Sequence, residues 1–249
     1  QDSIDGDDGV DFLEGQQGND TLRGDAGNDQ LFGGNGDDEL QGGDGDDIIQ
    51  GGDGVDHLFG ESGNDTLLAG DGDDESVGGD GNDSINGGAG DDLLDGQQGD
   101  DNIFGDVGDD LISGREGIDH IQGAAGSDQI FGNEDNDILE GQEGNDIIQG
   151  GSGDDVISGG EGRDTLVGQT GADLFIFKAG EGANNVALAD IITDFEDGVD
   201  KIQVEGVNVF GDLSFEADGF NTVIKFGTEI VAIVQNTDTS QLTPDDFIF

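Results

Sequence analysis

The chain has 249 residues, and its 61 aspartates and glutamates against six lysines and arginines give a formal net charge of −55 at pH 7. Together with 51 glycines, this composition lies far from that of an ordinary globular domain. Such an acidic surface disfavours nucleic acid and anionic membranes as partners. No apolar run approaches the roughly 18 residues of a membrane span, and no N-terminal signal peptide is visible.

The first five residues match the end of a repeat whose beginning is missing. We therefore expect the chain to be cut from a longer protein. From Gly6 to Ile176, a nine-residue unit of the form Gly-Gly-x-Gly-x-Asp-x-(Leu/Ile)-x then runs for nineteen units without insertion or deletion. A fixed short period predicts a solenoid.

Position six of the unit is aspartate in all nineteen units. These candidate metal ligands are Asp11, Asp20, Asp29, Asp38, Asp47, Asp56, Asp65, Asp74, Asp83, Asp92, Asp101, Asp110, Asp119, Asp128, Asp137, Asp146, Asp155, Asp164 and Asp173. Two units depart from the pattern elsewhere. The eighth has Ala69 at position one and Ser76 at position eight, and the fifteenth has Asp135 at position four. We expect these two units to be weak points.

Each column of the repeat has a physical reading. Positions seven to nine place one apolar side chain between mostly polar ones, which predicts a short strand. The first six positions are then expected to form a turn in which glycine supplies positive φ, and aspartate, as in Asp135, also tolerates that region. A carboxylate that ends a glycine-rich turn, beside bare carbonyl groups, suits a hard cation. Oxygen ligands, without cysteine and with only two histidines, favour calcium over zinc or copper.

The nonapeptide resembles the repeat-in-toxin (RTX) motif, a calcium-binding repeat. The resemblance implies an all-β parallel β-roll in which consecutive units alternate between two sheets. It also implies that each ion lies between turns two units apart. The earlier turn would supply the carbonyl oxygens of its positions two and four and the carboxylate of its position-six aspartate. The later turn would supply the carbonyl oxygens of its positions one and three and the carboxylate of its own position-six aspartate. For the first pair, the implied ligands are Asp7, Gly9 and Asp11 with Gly24, Ala26 and Asp29.

Carried along the chain, the resemblance adds two columns of glycine carbonyls as metal ligands. At position four they are Gly9, Gly18, Gly27, Gly36, Gly45, Gly54, Gly63, Gly72, Gly81, Gly90, Gly99, Gly108, Gly117, Gly126, Gly144 and Gly153. At position one they are Gly24, Gly33, Gly42, Gly51, Gly60, Gly78, Gly87, Gly96, Gly105, Gly114, Gly123, Gly132, Gly141, Gly150, Gly159 and Gly168.

Charge independently favours a multivalent cation. Residues 1–176 carry 47 acids and three bases, a net charge of −44, so the roll repels itself without counterions. Ten odd and nine even turns leave at most 17 gaps for calcium. Seventeen ions would leave a charge of about −10 on the roll.

Outward positions carry phenylalanines and two histidines that invite functional readings. Phe32, Phe59, Phe104 and Phe131 fall in both odd and even units, so we do not expect them to form one patch. His57 and His120 lie in units of opposite parity, which argues against a shared metal or catalytic site.

The composition changes after Ile176, and we divide the chain into a roll, residues 1–176, and a β-rich C-terminal cap, residues 177–249. Four segments of the cap read as strands, with turns between them. They are Asp190–Phe195, Lys201–Val204, Thr222–Phe226 and Ile230–Val234. A solenoid needs a cap over its last rung. The RTX resemblance also implies that this tail carries a type I secretion signal, and both roles stay open.

The sequence contains no His-Glu-x-x-His motif and no Gly-x-Ser-x-Gly motif. We therefore do not expect this segment to be an enzyme. The sequence predicts a calcium-binding module that folds on meeting calcium, in a secreted, extracellular protein that type I secretion machinery exports, as the resemblance implies. Two alternatives stay open. One is a calcium-stiffened spacer of an adhesin with a cell-surface or matrix partner, and the other is the C-terminal module of an enzyme or toxin whose catalytic part lies upstream.

Overall fold

A computed structural model describes residues 1–180 and 182–249, which build a β-solenoid of two parallel sheets. Within those ranges the only helical elements are three 3-10 turns, at Val186–Leu188, Phe210–Asp212 and Pro244–Asp246. The prediction of an all-β parallel β-roll is confirmed.

Twenty strands of the roll follow one another at the repeat spacing. They are β1 Ser3–Asp5, β2 Phe12–Gln17, β3 Thr21–Ala26, β4 Gln30–Asn35, β5 Glu39–Asp44, β6 Ile48–Asp53, β7 His57–Ser62, β8 Thr66–Asp71, β9 Glu75–Asp80, β10 Ser84–Ala89, β11 Leu93–Gln98, β12 Asn102–Val107, β13 Leu111–Glu116, β14 His120–Ala125, β15 Gln129–Glu134, β16 Ile138–Gly144, β17 Ile147–Ser152, β18 Val156–Gly162, β19 Thr165–Thr170 and β20 Leu174–Lys178. Six more follow: β21 Ile191–Ile192, β22 Lys201–Glu205, β23 Leu213–Asp218, β24 Asn221–Phe226, β25 Glu229–Val234 and β26 Phe247–Ile248.

Odd and even strands of the roll belong to different sheets, so each strand pairs with the strand two units away. Leu13 lies opposite Leu31, for example, and Ile103 opposite Ile121. Residues that pair across a sheet of the roll are therefore 18 positions apart and occupy the same position of the repeat. Because the inward residues of both sheets meet, position eight forms one core that Ser76 interrupts, and the side chains of this column from Leu22 to Phe175 are fully buried.

The strands are longer than the sequence predicts. Most of them begin at position seven and continue through position three of the next unit, as Phe12–Gln17 does. The expectation that the first six positions form the turn is therefore wrong, because positions two and three still pair across the sheet, as Gln16 does with Gly34. Only positions four to six link one strand to the next.

Both sheets continue beyond Ile176. On the odd side β21 pairs with β19 and then with β25, which begins the antiparallel hairpins of β25, β24 and β23. On the even side β22 pairs with β20 and with β26. Phe195 packs on Phe175 with ring centroids 6.4 Å apart, so the C-terminal segment covers the last apolar rung. The division at residue 176 itself stays a prediction.

Candidate metal centre

The link at positions four to six presents the aspartate to its neighbours in the same sheet. Its glycine has left-handed φ, as in Gly36 with φ 129°, and a Cβ there would lie 2.6 Å from the carbonyl carbon of Gly18. Asp135, the one exception in the column, also has positive φ, 72°. The prediction that aspartate tolerates this region is therefore confirmed at Asp135.

The aspartates of position six form a hydrogen-bonded ladder along each edge of the roll. The backbone N–H of Asp11 donates to Oδ1 of Asp29 at 2.8 Å, and Asp83 donates to Asp101 in the same way at 2.8 Å. Every column aspartate from Asp20 to Asp173 is at most 3% exposed. The ladder therefore fixes one carboxylate oxygen of each residue toward the preceding turn in its row.

The second carboxylate oxygen carries the strongest indication of a ligand. Oδ2 of all nineteen column aspartates is buried without a hydrogen-bond partner among the described residues. A buried polar atom left unpaired costs about 1–3 kcal/mol, and more when it is charged. Nineteen repetitions in identical positions point to a systematic partner, which the protein atoms do not provide.

The glycine at position one shows where Oδ2 points. A Cβ built at Gly15 would lie 2.7 Å from Oδ2 of Asp20, in its own turn, and 2.8 Å from the carbonyl oxygen of Gly33, two units later. A Cβ at Gly6 would likewise lie 2.8 Å from the carbonyl oxygen of Gly24 and 3.1 Å from Oδ2 of Asp11. Oδ2 and the position-one carbonyl of the next turn in the row therefore converge on one point.

The remaining implied ligands border the same gap. The carbonyl of Ala26 accepts a hydrogen bond from Gly9 N–H at 2.7 Å, and the carbonyl of Asp7 accepts one from Ala26 N–H at 3.4 Å. The Gly9 carbonyl faces Gly27, where a Cβ would lie 2.5 Å from the carbonyl carbon. The structure thus brings the six implied groups of the first pair together. That they bind calcium stays a prediction.

Two carboxylates and four carbonyls form a hard, all-oxygen donor set, and calcium takes 6–8 such oxygens. No group of three or more His, Cys, Asp or Glu side chains suited to a metal occurs in residues 1–180 and 182–249. Such a group of side chains is not expected here, because four of the six implied ligands at each gap are backbone carbonyl oxygens. The residues fit calcium, which would supply the positive charge that the buried Oδ2 atoms lack.

Burial shifts the titration of the column. It raises the pKa of Asp137 to about 8 and those of Asp101 and Asp146 to about 7, while the hydrogen bond from the preceding aspartate opposes the shift and neighbouring carboxylates add to it. Desolvation is thus the largest cause of the raised pKa values, ahead of repulsion between carboxylates. The metal-free roll thus holds carboxyl groups that are costly to ionise near neutral pH.

The aspartate ladder extends two rungs further than the nonapeptides. Asp164 N–H donates to Oδ1 of Asp190 at 3.0 Å, and Asp173 N–H donates to Oδ1 of Asp200 at 3.1 Å. Both acceptors are buried. Counting nine-residue units misses them because the connecting segments are longer, but the pattern Asp-x-Ile in 190–192 and 200–202 was a usable signal.

Position five provides a second ladder that we did not predict. Its Asn and Asp side chains accept the position-five N–H of the turn two units later, as Asp46 does from Asn64 at 2.9 Å and Asp91 from Asp109 at 2.9 Å. The two ladders run in opposite directions, since position six accepts from the preceding turn. Each turn is therefore held to both of its neighbours.

The other side chains singled out from the sequence lie apart. His57 is in β7 and His120 in β14, so they lie in different sheets. Phe32 and Phe104 belong to the even sheet, whereas Phe59 and Phe131 belong to the odd one. Phe32 does meet another exposed ring that we had not grouped with it, Phe12, with centroids 5.1 Å apart.

Fold and gap geometry together define a repeat solenoid whose turns present oxygen ligands suited to a hard cation. The family model described as "RTX calcium-binding nonapeptide repeat (4 copies)" matches residues 5–40, 32–67, 41–76, 68–103, 77–112, 104–139, 113–148 and 140–175. The chain belongs to the RTX family, and residues 5–175 are a calcium-binding repeat module. No curated protein matches the chain in sequence.

Several solved structures are similar to the chain. The solution structures of the AlgE6R3 and AlgE6R2 subunits from the Azotobacter vinelandii mannuronan C5-epimerase share 27% and 25% identity with it, each over 51% of this chain and over 80% and 91% of theirs, both with TM-score 0.42. The crystal structure of extracellular lipase LipA from Serratia marcescens is 17% identical over 90% of this chain and 40% of the lipase, with TM-score 0.29.

Proposed function

We propose that this segment is a calcium-triggered folding and stabilisation module of a secreted, extracellular protein. The observation that supports it best is the set of nineteen buried Oδ2 atoms without a partner in the described part of the chain. Burying so many carboxylates is unfavourable unless a cation binds the folded state and not the unfolded one. Calcium binding would then provide folding free energy, as it does in other metal-dependent folds.

Low cytoplasmic calcium would keep the chain unfolded, and higher extracellular calcium would fold it. Family membership supports an export route through a type I system, with the C-terminal segment as both end cap and signal. No helix in residues 1–180 and 182–249 is long and apolar enough to cross a membrane. We propose no catalytic role for this segment, because its buried aspartate column is explained by the proposed calcium sites and by the ladder.

A calcium titration of the whole chain followed by circular dichroism tests the proposal. We expect a largely disordered chain in chelator and a β-rich one as calcium rises through roughly 0.1–1 mM, the range of extracellular modules. Magnesium should not replace calcium, since it dehydrates reluctantly and demands tighter octahedral geometry. Identical spectra in chelator and in calcium would refute a calcium-triggered fold.

A second role, that of a calcium-stiffened spacer in a surface adhesin, is supported by the unbroken pairing of the roll strands from β1 to β20. This role also requires calcium, so the titration does not separate the two. Calcium-dependent clustering of cells that display the full-length protein would favour the spacer. Clustering that is unchanged by chelator would exclude it.

A further inference from the structure

Unit eight differs from its neighbours at the position that borders the ion gap. Ala69 stands at position one, where the other eighteen units have glycine, and it is fully buried within β8. Backbone strain does not explain the preference for glycine there, because neither Ala69 nor the position-one glycines Gly51 and Gly87 have positive φ. The preference must therefore come from space.

The space beside position one is taken by the oxygens of the gap. A Cβ built at Gly51 would lie 2.6 Å from the carbonyl oxygen of Ala69 and closer still to Oδ2 of Asp56. Real Cβ atoms keep about 3.4–4 Å from such neighbours. A methyl group at position one therefore has to move one or both oxygens of its gap.

In unit eight that methyl group exists. By the register of the repeat, the two oxygens beside it are Oδ2 of Asp74 and the carbonyl oxygen of Gly87, two units later. Asp74 keeps its place in the ladder, since its N–H donates to Oδ1 of Asp92 at 2.8 Å, and its Oδ2 is buried without a partner among the described residues. The ladder is thus intact at this unit, and the difference from its neighbours is the methyl group at position one.

The core beside this turn offers no compensation. Ser76 follows the turn and lies between Leu58 and Leu94 in the odd sheet. It is fully buried, and its Oγ finds no hydrogen-bond partner in the part of the chain that the structure describes. The apolar side chain that occupies this position in the neighbouring units is therefore missing here.

We propose that the row of calcium sites along the even-numbered turns is interrupted between units eight and ten. Because calcium needs its oxygens at 2.3–2.6 Å, the Ala69 methyl group, by separating Asp74 Oδ2 from the Gly87 carbonyl, leaves this gap without an ion. The even row is then divided into two blocks, units two to eight and units ten to eighteen. This inference rests on the proposed calcium-binding function of the turns.

Native mass spectrometry of the whole chain at saturating calcium counts the bound ions. Ala69→Gly should bind one ion more than the unsubstituted chain, and the reverse change Gly51→Ala should bind one ion fewer. Ala172→Gly is the matched control, because it makes the same chemical change at an exposed position five, which supplies no implied ligand, and it should leave the count unchanged.

An Ala69→Gly count equal to that of the unsubstituted chain would overturn the inference while leaving the proposed function intact. Should that variant fail to fold, an unchanged count in Gly51→Ala would overturn it equally. Absence of bound calcium from all four proteins would contradict the proposed function instead.

Discussion

Oδ1 of Asp101 accepts a hydrogen bond from the backbone N–H of Asp83 at 2.8 Å, although the two residues lie 18 positions apart in the chain. Oδ2 of Asp101 has no such partner within the described residues, and it lies beside Gly96, where a Cβ would be 3.0 Å from the Gly114 carbonyl oxygen. One carboxylate therefore borders two successive gaps, one with each of its two oxygens.

Asp101→Ala should consequently damage two calcium sites at once. We expect two bound ions fewer, a lower Hill coefficient and a calcium midpoint raised by about tenfold, which corresponds to ~1.4 kcal/mol. A titration followed by circular dichroism measures the last two. Asp100→Ala is the control, because the side chain of this exposed neighbour accepts a hydrogen bond from the Ile118 N–H and supplies no implied ligand. Equal effects of the two substitutions would argue against Asp101 as a ligand.

Ser76→Leu should stabilise the calcium-loaded roll. The leucine would fill the interruption in the core column between Leu58 and Leu94 and remove a buried hydroxyl that lacks a partner in the described chain. We expect a gain of about 1–2 kcal/mol and a rise in Tm of roughly 2–4 °C for each kcal/mol. Ser84→Leu, at an exposed position, should give no such gain. A lower Tm for Ser76→Leu would mean that unit eight does not have room for the side chain.

The buried ladder residues Asp190 and Asp200 should also support calcium binding at the end of the roll. Replacing both by alanine removes the acceptors for Asp164 and Asp173, so we expect faster amide hydrogen exchange in residues 159–176 at limiting calcium. The exposed Asp197 serves as a control when replaced by alanine. Exchange that is unchanged in the double variant would show that Asp190 and Asp200 do not stabilise the last two rungs.

Acid should act in opposite directions on the metal-free and calcium-loaded chains. Burial raises the pKa of Asp137 to about 8 and that of Asp101 to about 7 in the metal-free fold, above the unfolded value of about 3.9. The folded state then binds more protons, so its stability rises as pH falls from about 8 toward 4. Bound calcium reverses the sign, because only the ionised carboxylates bind it, and stability is lost as pH approaches 4.

Small-angle scattering from pH 8 to 4 measures this contrast. Without calcium the radius of gyration should shrink on acidification, and with saturating calcium it should grow near pH 4. Radii that move in the same direction in both series would mean that carboxylate ionisation does not control the fold.

The nine-residue period predicts a solenoid, whereas the two-sheet roll that places Leu13 opposite Leu31 was implied by the RTX resemblance. The strand bounds were less predictable, since glycines at positions one and two look like turn residues while their backbone still pairs. β23 was missed altogether, because Leu213–Asp218 lacks the apolar run that marks β24 and β25.

The identity of the candidate ligands could be predicted from the sequence, whereas the direction of their carboxylate oxygens could not. The aspartate column is visible in the sequence, but the inward direction of every Oδ2 comes from the ladder, which only the fold creates. Asp190 and Asp200 could not be found by counting nine-residue units, because the chain between Asp173 and Asp190 is longer than one unit. Their carboxylates nevertheless accept the N–H groups of Asp164 and Asp173, as the column aspartates do for one another.

A crystal structure of the chain grown in calcium, with the ions located by their anomalous signal, tests the central claim most directly. We predict calcium between turns two units apart, with Oδ2 of residues such as Asp20 and Asp101 at 2.3–2.6 Å from an ion. If those Oδ2 atoms instead pair with protein donors or carry protons, and the ions lie only on the outer surface, the proposed role of the aspartate column is contradicted.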